Sequence, residues 1–159
     1  MGISTAMSTS GINIFFDLYF VAIGRMIDGK YLDIETNGGV MITGLDHVQV
    51  AMPRGAEDTA RAFYVGLLGM TEDAKPPVLA ARGGCWFRSG AAVLHLGVED
   101  PFAPARKAHP AFLIDDLDVL QARLTKAGYE CVRADGEVPG VLRFHTSDPF
   151  GNRIEFQQA

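Results

Sequence analysis

No pair of cysteines stands at CxxC spacing, and the chain holds only two, Cys85 and Cys131. Thiolate zinc sites and disulfide frameworks both need more, so neither is expected and a reducing, cytoplasmic setting fits. Basic residues are sparse as well. Fourteen Lys and Arg against nineteen Asp and Glu leave a net charge of -5, and the cations are scattered rather than gathered into a stripe, which argues against a nucleic-acid partner. Long apolar runs are also missing. The most hydrophobic stretch, INIFFDLYFVAI from Ile12 to Ile23, is twelve residues interrupted by Asp17, against about 20 for a membrane-spanning helix. The first basic residue, Arg25, follows this run instead of preceding it, the reverse of a secretion signal. What remains is 159 residues, 48% hydrophobic and 21% charged, the composition of one globular domain able to bury a sizeable core.

All eight prolines, all four histidines and both cysteines lie after residue 41. The working domain is therefore expected to begin near Met41, with residues 1–40 a translated leader or a mis-assigned start. Gly38 and Gly39 stand just ahead of Met41, where purine-rich glycine codons would read as a ribosome-binding sequence. The plainer alternative is an N-terminal helix or arm covering an apolar patch. Glycine codons that are not purine-rich would remove the leader reading.

Beyond Met41 the chain repeats itself. LDHVQVAMP, Leu45 to Pro53, reads as a strand and is followed by AEDTARAFYVGLLGM, in which Ala60, Phe63 and Leu67 recur at helical spacing before a stop at Gly69. AHPAFLIDD is followed in the same way by LDVLQARLTKAGYE, with Leu117, Leu120 and Leu124 at helical spacing, Gly128 as the stop, and Asp115 and Asp116 as N-cap candidates. Shorter strand signals come after each helix: CWFRSG and AAVLHLGVE in the first half, YECVRAD, VLRFHTSD and NRIEFQQ in the second. Ser89-Gly90 and DPFGN, Asp148 to Asn152, supply turns. Each half reads as βαβββ, the modules spanning 41–99 and 106–159, with the Pro-containing stretch Glu99 to Ala108 as linker.

His47 sits at the centre of the first apolar strand, which is an odd place for an imidazole. Aligning the halves on their first strands puts His47 on His109; aligning them on their last strands puts His95 on Glu155. The separations within the halves, 48 and 46 residues, are nearly equal. Because side chains alternate across a strand, His47 shares a face with Gln49 and Ala51, while Val48, Val50 and Met52 take the face that a helix covers. His109 likewise shares its face with Ala111 and Leu113, leaving Phe112 and Ile114 for the helix side.

The strand order, the DHV opening, the AFYVGLLGM helix, the HPAFLIDDLDVL restart and above all the DPFGNRIEF ending resemble the vicinal oxygen chelate superfamily, over residues 42–158. That family includes glyoxalase I, bleomycin resistance proteins and extradiol dioxygenases. The resemblance implies an α+β fold in which two tandem βαβββ modules form a cupped, half-open mixed sheet barrel. It also implies a divalent metal in the cup, on residues from the first and last strands of each module: His47, His95, His109 and Glu155. Imidazole and carboxylate together suit zinc, nickel, cobalt or iron(II) better than magnesium or calcium. An octahedral ion on four such groups keeps two positions open for adjacent oxygens of a small-molecule substrate.

One difference is informative. Glyoxalase I usually carries a carboxylate where this chain has His95, so Glu155 is left as the only ligand able to act as a carboxylate base. The preferred expectation is a metal-dependent lyase or isomerase with Glu155 as general base. A second is a non-haem iron dioxygenase using His47, His109 and Glu155 as a facial triad, with His95 over bound oxygen. A third is a drug- or metabolite-binding protein without catalysis. A homodimer is expected from the habit of the family and from exposed sheet edges. Other residues have plainer readings beside functional ones. His145 lines the cup or is a half-exposed strand residue. Arg143, Arg88 and Trp86 meet an anionic or aromatic substrate or are strand surface and core. Cys85 reads as a small buried hydrophobe, and Arg106 and Lys107 as solvated linker.

Overall fold

The computed structural model describes residues 41–159 and two short segments, Met26–Ile27 (β1) and Lys30–Tyr31 (β2), which pair antiparallel. Apart from that ladder, the leader expected over residues 1–40 and the apolar run within it lie outside the described residues. By compactness the chain divides at Thr43, with Gly44–Ala159 forming the larger unit.

That unit contains the two expected modules. The first runs β3 (Val48–Met52), α1 (Glu57–Arg61), β4 (Thr71–Asp73), α2 (Pro77–Ala80), β5 (Cys85–Ser89) and β6 (Ala92–Val98). The second runs β7 (Ala111–Ile114), α3 (Leu117–Lys126), β8 (Val132–Arg133), β9 (Arg143–Ser147) and β10 (Arg153–Gln158). Each makes a four-stranded mixed sheet with the same topology, in the orders β3-β6-β5-β4 and β7-β10-β9-β8. In both, the first strand pairs parallel with the last and the remaining neighbours are antiparallel. Among the described residues no closed barrel forms, and β3 and β7 are each hydrogen-bonded on one side only.

Local chemistry accounts for most of these boundaries. Asp116 caps α3, its side chain accepting from the Val119 amide, and Leu117, Leu120 and Leu124 bury the inner face. The first helix departs from the simple periodic expectation. After Arg61 it widens into a π-helical coil over Ala62–Leu67, which turns both Phe63 and Tyr64 inward and fully buries them. Gly69 then ends it at φ +70°. Three elements have little periodic signature. β4 is the polar triplet Thr-Glu-Asp, held by Arg61 on Glu72 at 2.8 Å and Arg88 on Asp73 at 2.9 Å; α2 is four residues long, and β8 is two.

One core serves both modules. Met52, Phe63, Tyr64, Phe87, Leu94, Leu124, Phe144 and Ile154 are all buried in a single cluster. The joint between modules is polar and specific. Tyr64 donates its hydroxyl to Asp148 Oδ2 at 2.9 Å. Asn152 Nδ2 donates to the Ala51 carbonyl at 2.8 Å, and its Oδ1 accepts from the Ala105 amide at 2.9 Å. Buried polar groups are tolerable only when paired, and the DPFGN turn supplies the pairing. The helices and core cover one face of each sheet, leaving the other face to carry the histidines. No helix among the described residues is long and apolar enough to cross a membrane.

Candidate metal centre

On the free face of each sheet, one side chain from each of three neighbouring strands falls into a row. In the first module the row is His47, His95 and Trp86. Gln49 pairs with His95 and Trp86 pairs with His95, and His47 lies two residues before Gln49, on the same face. The rings stack in sequence, His47 on His95 at 4.0 Å between centroids and His95 on Trp86 at 4.2 Å. An open cleft of about 980 Å³ lies over this face, with Asp46, Arg82 and Arg88 among its walls.

In the second module the equivalent row is His109, Glu155 and His145. Ala111 and His145 both pair with Glu155, and His109 precedes Ala111 by two. Here the side chains converge on one another. His109 Nε2 stands 2.9 Å from Glu155 Oε2 and His145 Nε2 stands 3.5 Å from the same oxygen; one ligating atom from each of the three lies within 4.8 Å of the others.

The hydrogen bonds around the row decide which atoms face inward. His109 Nδ1 is 2.7 Å from the Lys107 carbonyl. A carbonyl only accepts, so Nδ1 carries the hydrogen and, in the neutral ring, Nε2 presents a lone pair to the carboxylate. Two acceptors at 2.9 Å repel, so a cation, either a proton or a metal ion, belongs between them. The arrangement is the one that metal-ligating histidines adopt, the outer nitrogen donating to a backbone carbonyl and the inner one free. Glu155 is prepared in the same way. Its Oε1 accepts from Arg143 Nη1 at 3.0 Å and from Gln157 Nε2 at 2.7 Å, leaving Oε2 to the imidazoles. Arg143 also grips Glu137 at 2.7 Å, which offsets part of its charge and leaves negative charge on Glu155.

These contacts set the protonation states. Burial alone would raise the Glu155 carboxyl, but hydrogen bonds from His109, Gln157 and Arg143 more than offset it and hold it down at about 2. Burial lowers His145, with nearby Arg153 adding to the effect. His95 is lowered by burial and by the charge of His47 beside it. A zinc, nickel, cobalt or iron(II) ion would take the place of the proton between His109 Nε2 and Glu155 Oε2, and the carboxylate and imidazole donor set fits such an ion. In the first module, His47 Nδ1 donates to Asp46 Oδ1 at 2.7 Å, which leaves its Nε2 free in turn.

The structure thus brings His109 and Glu155 together on one sheet and His47 and His95 together on the other, as two separate pairs. Among the described residues no group of three or more donors within 4.8 Å includes either of the latter two. His145 joins Glu155 and His109, a partnership that repeat alignment does not reveal. A signal for it exists: His145 and Glu155 lie equally far on either side of Phe150 in the DPFGN turn, so counting strands outward from the turn places them opposite each other. Arg143 and Gln157 follow by the same count. Arg88 is engaged with Asp73, and Cys85 is buried with its thiol pushed up to about 11 by burial.

Comparison with known proteins agrees with this architecture. A glyoxalase family protein from Bacillus anthracis superposes with a TM-score of 0.71 at 50% identity, covering 76% of this chain and 98% of that one. A fosfomycin resistance protein from Listeria monocytogenes (TM-score 0.59, 17% identity, 75% of this chain and 95% of that one) shares the fold. So does a lactoylglutathione lyase from Agrobacterium tumefaciens (TM-score 0.57, 21% identity, 74% and 95%). No curated protein matches. The family model that describes the Glyoxalase/Bleomycin resistance protein/Dioxygenase superfamily matches residues 44–156, and with the repeated modules and their rows of donors it establishes that the chain belongs to that superfamily.

Proposed function

We propose that the protein is a divalent-metal-dependent lyase or isomerase of a small molecule with adjacent oxygens, working in the cytoplasm as a homodimer. His109 and Glu155 of one copy would hold the metal, with His47 and His95 of a second copy completing the site around the ion and substrate. The observation that carries this reading is the pair of facing acceptors, His109 Nε2 and Glu155 Oε2 at 2.9 Å, each fixed from behind by a hydrogen bond. Two features support pairing of copies. The two half-sets of donors lie on separate sheets, and among the described residues β3 and β7 each keep one unfilled hydrogen-bonding edge, the usual template for strand addition.

Zinc, nickel, cobalt or iron(II) bound there would supply a Lewis acid for the substrate oxygens. The protein's own part is proton transfer. Glu155 is in its base form throughout the neutral range, and because Arg143 and Gln157 occupy Oε1, the proton would be accepted at Oε2 once that oxygen is released from the metal. So weak a base suits a substrate whose C–H is already acidified. A second reading, a non-haem iron dioxygenase, is favoured by one specific observation: two imidazoles and one carboxylate, His109, His145 and Glu155, cluster on a single sheet.

Elemental analysis of the untagged full-length protein tests the proposal. About one zinc, nickel, cobalt or iron per chain is expected, lost in Glu155→Ala and His109→Ala. Iron with substrate-dependent oxygen uptake would select the dioxygenase. No metal, even after these ions are added back, would overturn both enzyme readings in favour of a binding protein.

A further inference from the structure

We infer that His145 is a third metal ligand, and that the second module binds the ion by itself, without the histidines of the first. This inference rests on the metal reading above and extends it: His109, Glu155 and His145 make a three-donor site inside a single chain.

The placement of His145 argues for it. The side chain is only 12% exposed, yet neither ring nitrogen has a good partner. Nδ1 is buried with no hydrogen bond at all, and Nε2 lies 3.5 Å from Glu155 Oε2, beyond the usual range for an N–H···O bond. An imidazole held for structure alone would satisfy at least one nitrogen, as Thr146 next to it does by donating to the Glu130 carbonyl at 2.7 Å. Spacing argues the same way. Donors about 2 Å from a shared ion stand roughly 3 Å or slightly more apart, and the contacts to Oε2 are 2.9 and 3.5 Å. The backbone sets this convergence, because β7, β10 and β9 are successive strands of one sheet and His145 pairs directly with Glu155.

The first module lacks the equivalent. Its row ends in Trp86, whose indole offers no ligating lone pair. The asymmetry is therefore built into the chain: three donors on one sheet, two on the other. Three donors on an octahedral ion would leave three positions, enough for two adjacent substrate oxygens and one further donor.

Cobalt(II) titration of the full-length protein, followed by its visible absorption bands and by calorimetry, tests the inference. The His47→Ala/His95→Ala double variant is expected to keep about one cobalt per chain. His145→Ala should weaken binding by more than about tenfold and shift the bands, and His145→Gln, which keeps the side chain's bulk, should do the same with an unchanged circular dichroism spectrum. Unchanged affinity and bands in both His145 variants would overturn the inference while leaving the metal reading intact. Loss of cobalt from the double variant would overturn it too, in favour of a site that exists only between copies. A parent protein that takes no cobalt would remove both.

Discussion

The two sheets are built on one plan and finished differently. In each, the residue opposite the last-strand donor comes from the third strand of the module, but it is Trp86 in the first and His145 in the second. The residues flanking that pair differ as sharply. Arg143 and Gln157 brace Glu155 in the second module; one step beyond the Cys85–Leu96 pair, the matching places in the first are Gly84 and Gly97. Gly84 sits at φ +82°, and a Cβ there would collide with the Leu96 carbonyl. A carboxylate ligand needs donors to aim one oxygen, whereas an imidazole ligand needs only its outer nitrogen tied. The scaffold was kept and the support around the donor changed with the donor.

That contrast can be broken most strongly at the brace. Removing both props with Arg143→Ala/Gln157→Ala frees Oε1, and metal affinity is expected to fall by about 10- to 100-fold, the range for lost outer contacts to a ligand; calorimetry reads it directly. If affinity holds, Glu155 is positioned by the backbone alone and the difference between the modules is incidental.

A smaller effect sharpens the comparison through acid. The Glu155 carboxyl is held at about 2 in the fold against 4.5 ordinarily, so between these values the unfolded chain binds a proton that the folded chain does not. The stability this contributes is complete above about pH 4.5 and is lost as pH falls toward 2. Urea midpoints of the metal-free protein between pH 5 and pH 2.5 should therefore fall more steeply than those of Glu155→Gln. Parallel curves would mean that the row carries no such contribution.

The smallest effect is expected in the first module. His47 is steered by Asp46, a carboxylate that lies almost wholly in solvent, whereas His109 is steered by a backbone carbonyl that no side-chain substitution removes. Asp46→Ala should change metal affinity by less than about tenfold, and the change should shrink in high salt. A larger loss would make the exposed carboxylate as important as the brace.

How much of this was legible depended on where symmetry lay. Repetition along the chain identified His47, His95, His109 and Glu155 as equivalent places, and the caps at Asp116 and Gly128 followed from local chemistry. His145 was not visible to that method because its counterpart is a tryptophan, and comparing unlike residues yields no pattern. Its position follows from a second symmetry, that of the hairpin about Phe150, which fixes register from turn geometry alone. Other elements had no readable pattern. Thr71–Asp73 is a strand because Arg61 and Arg88 hold it from neighbouring elements, and the π-helical coil exists because Phe63 and Tyr64 both find space inside. Those are tertiary causes, absent from any local window. That β3 and β7 stay apart, leaving two sheets, was likewise not in the strand pattern.

The shared core and the Asn152 joint have a consequence for how such a chain can change. A duplicated module would ordinarily be an exchangeable part, free to be excised or replaced. Here Phe63 and Tyr64 of the first module share one buried cluster with Phe144 and Ile154 of the second, and Asn152 of the second module holds backbone of the first module and of the linker. Neither half is a self-sufficient folding unit, so each was free to diverge only on its outer face, where the rows of donors are.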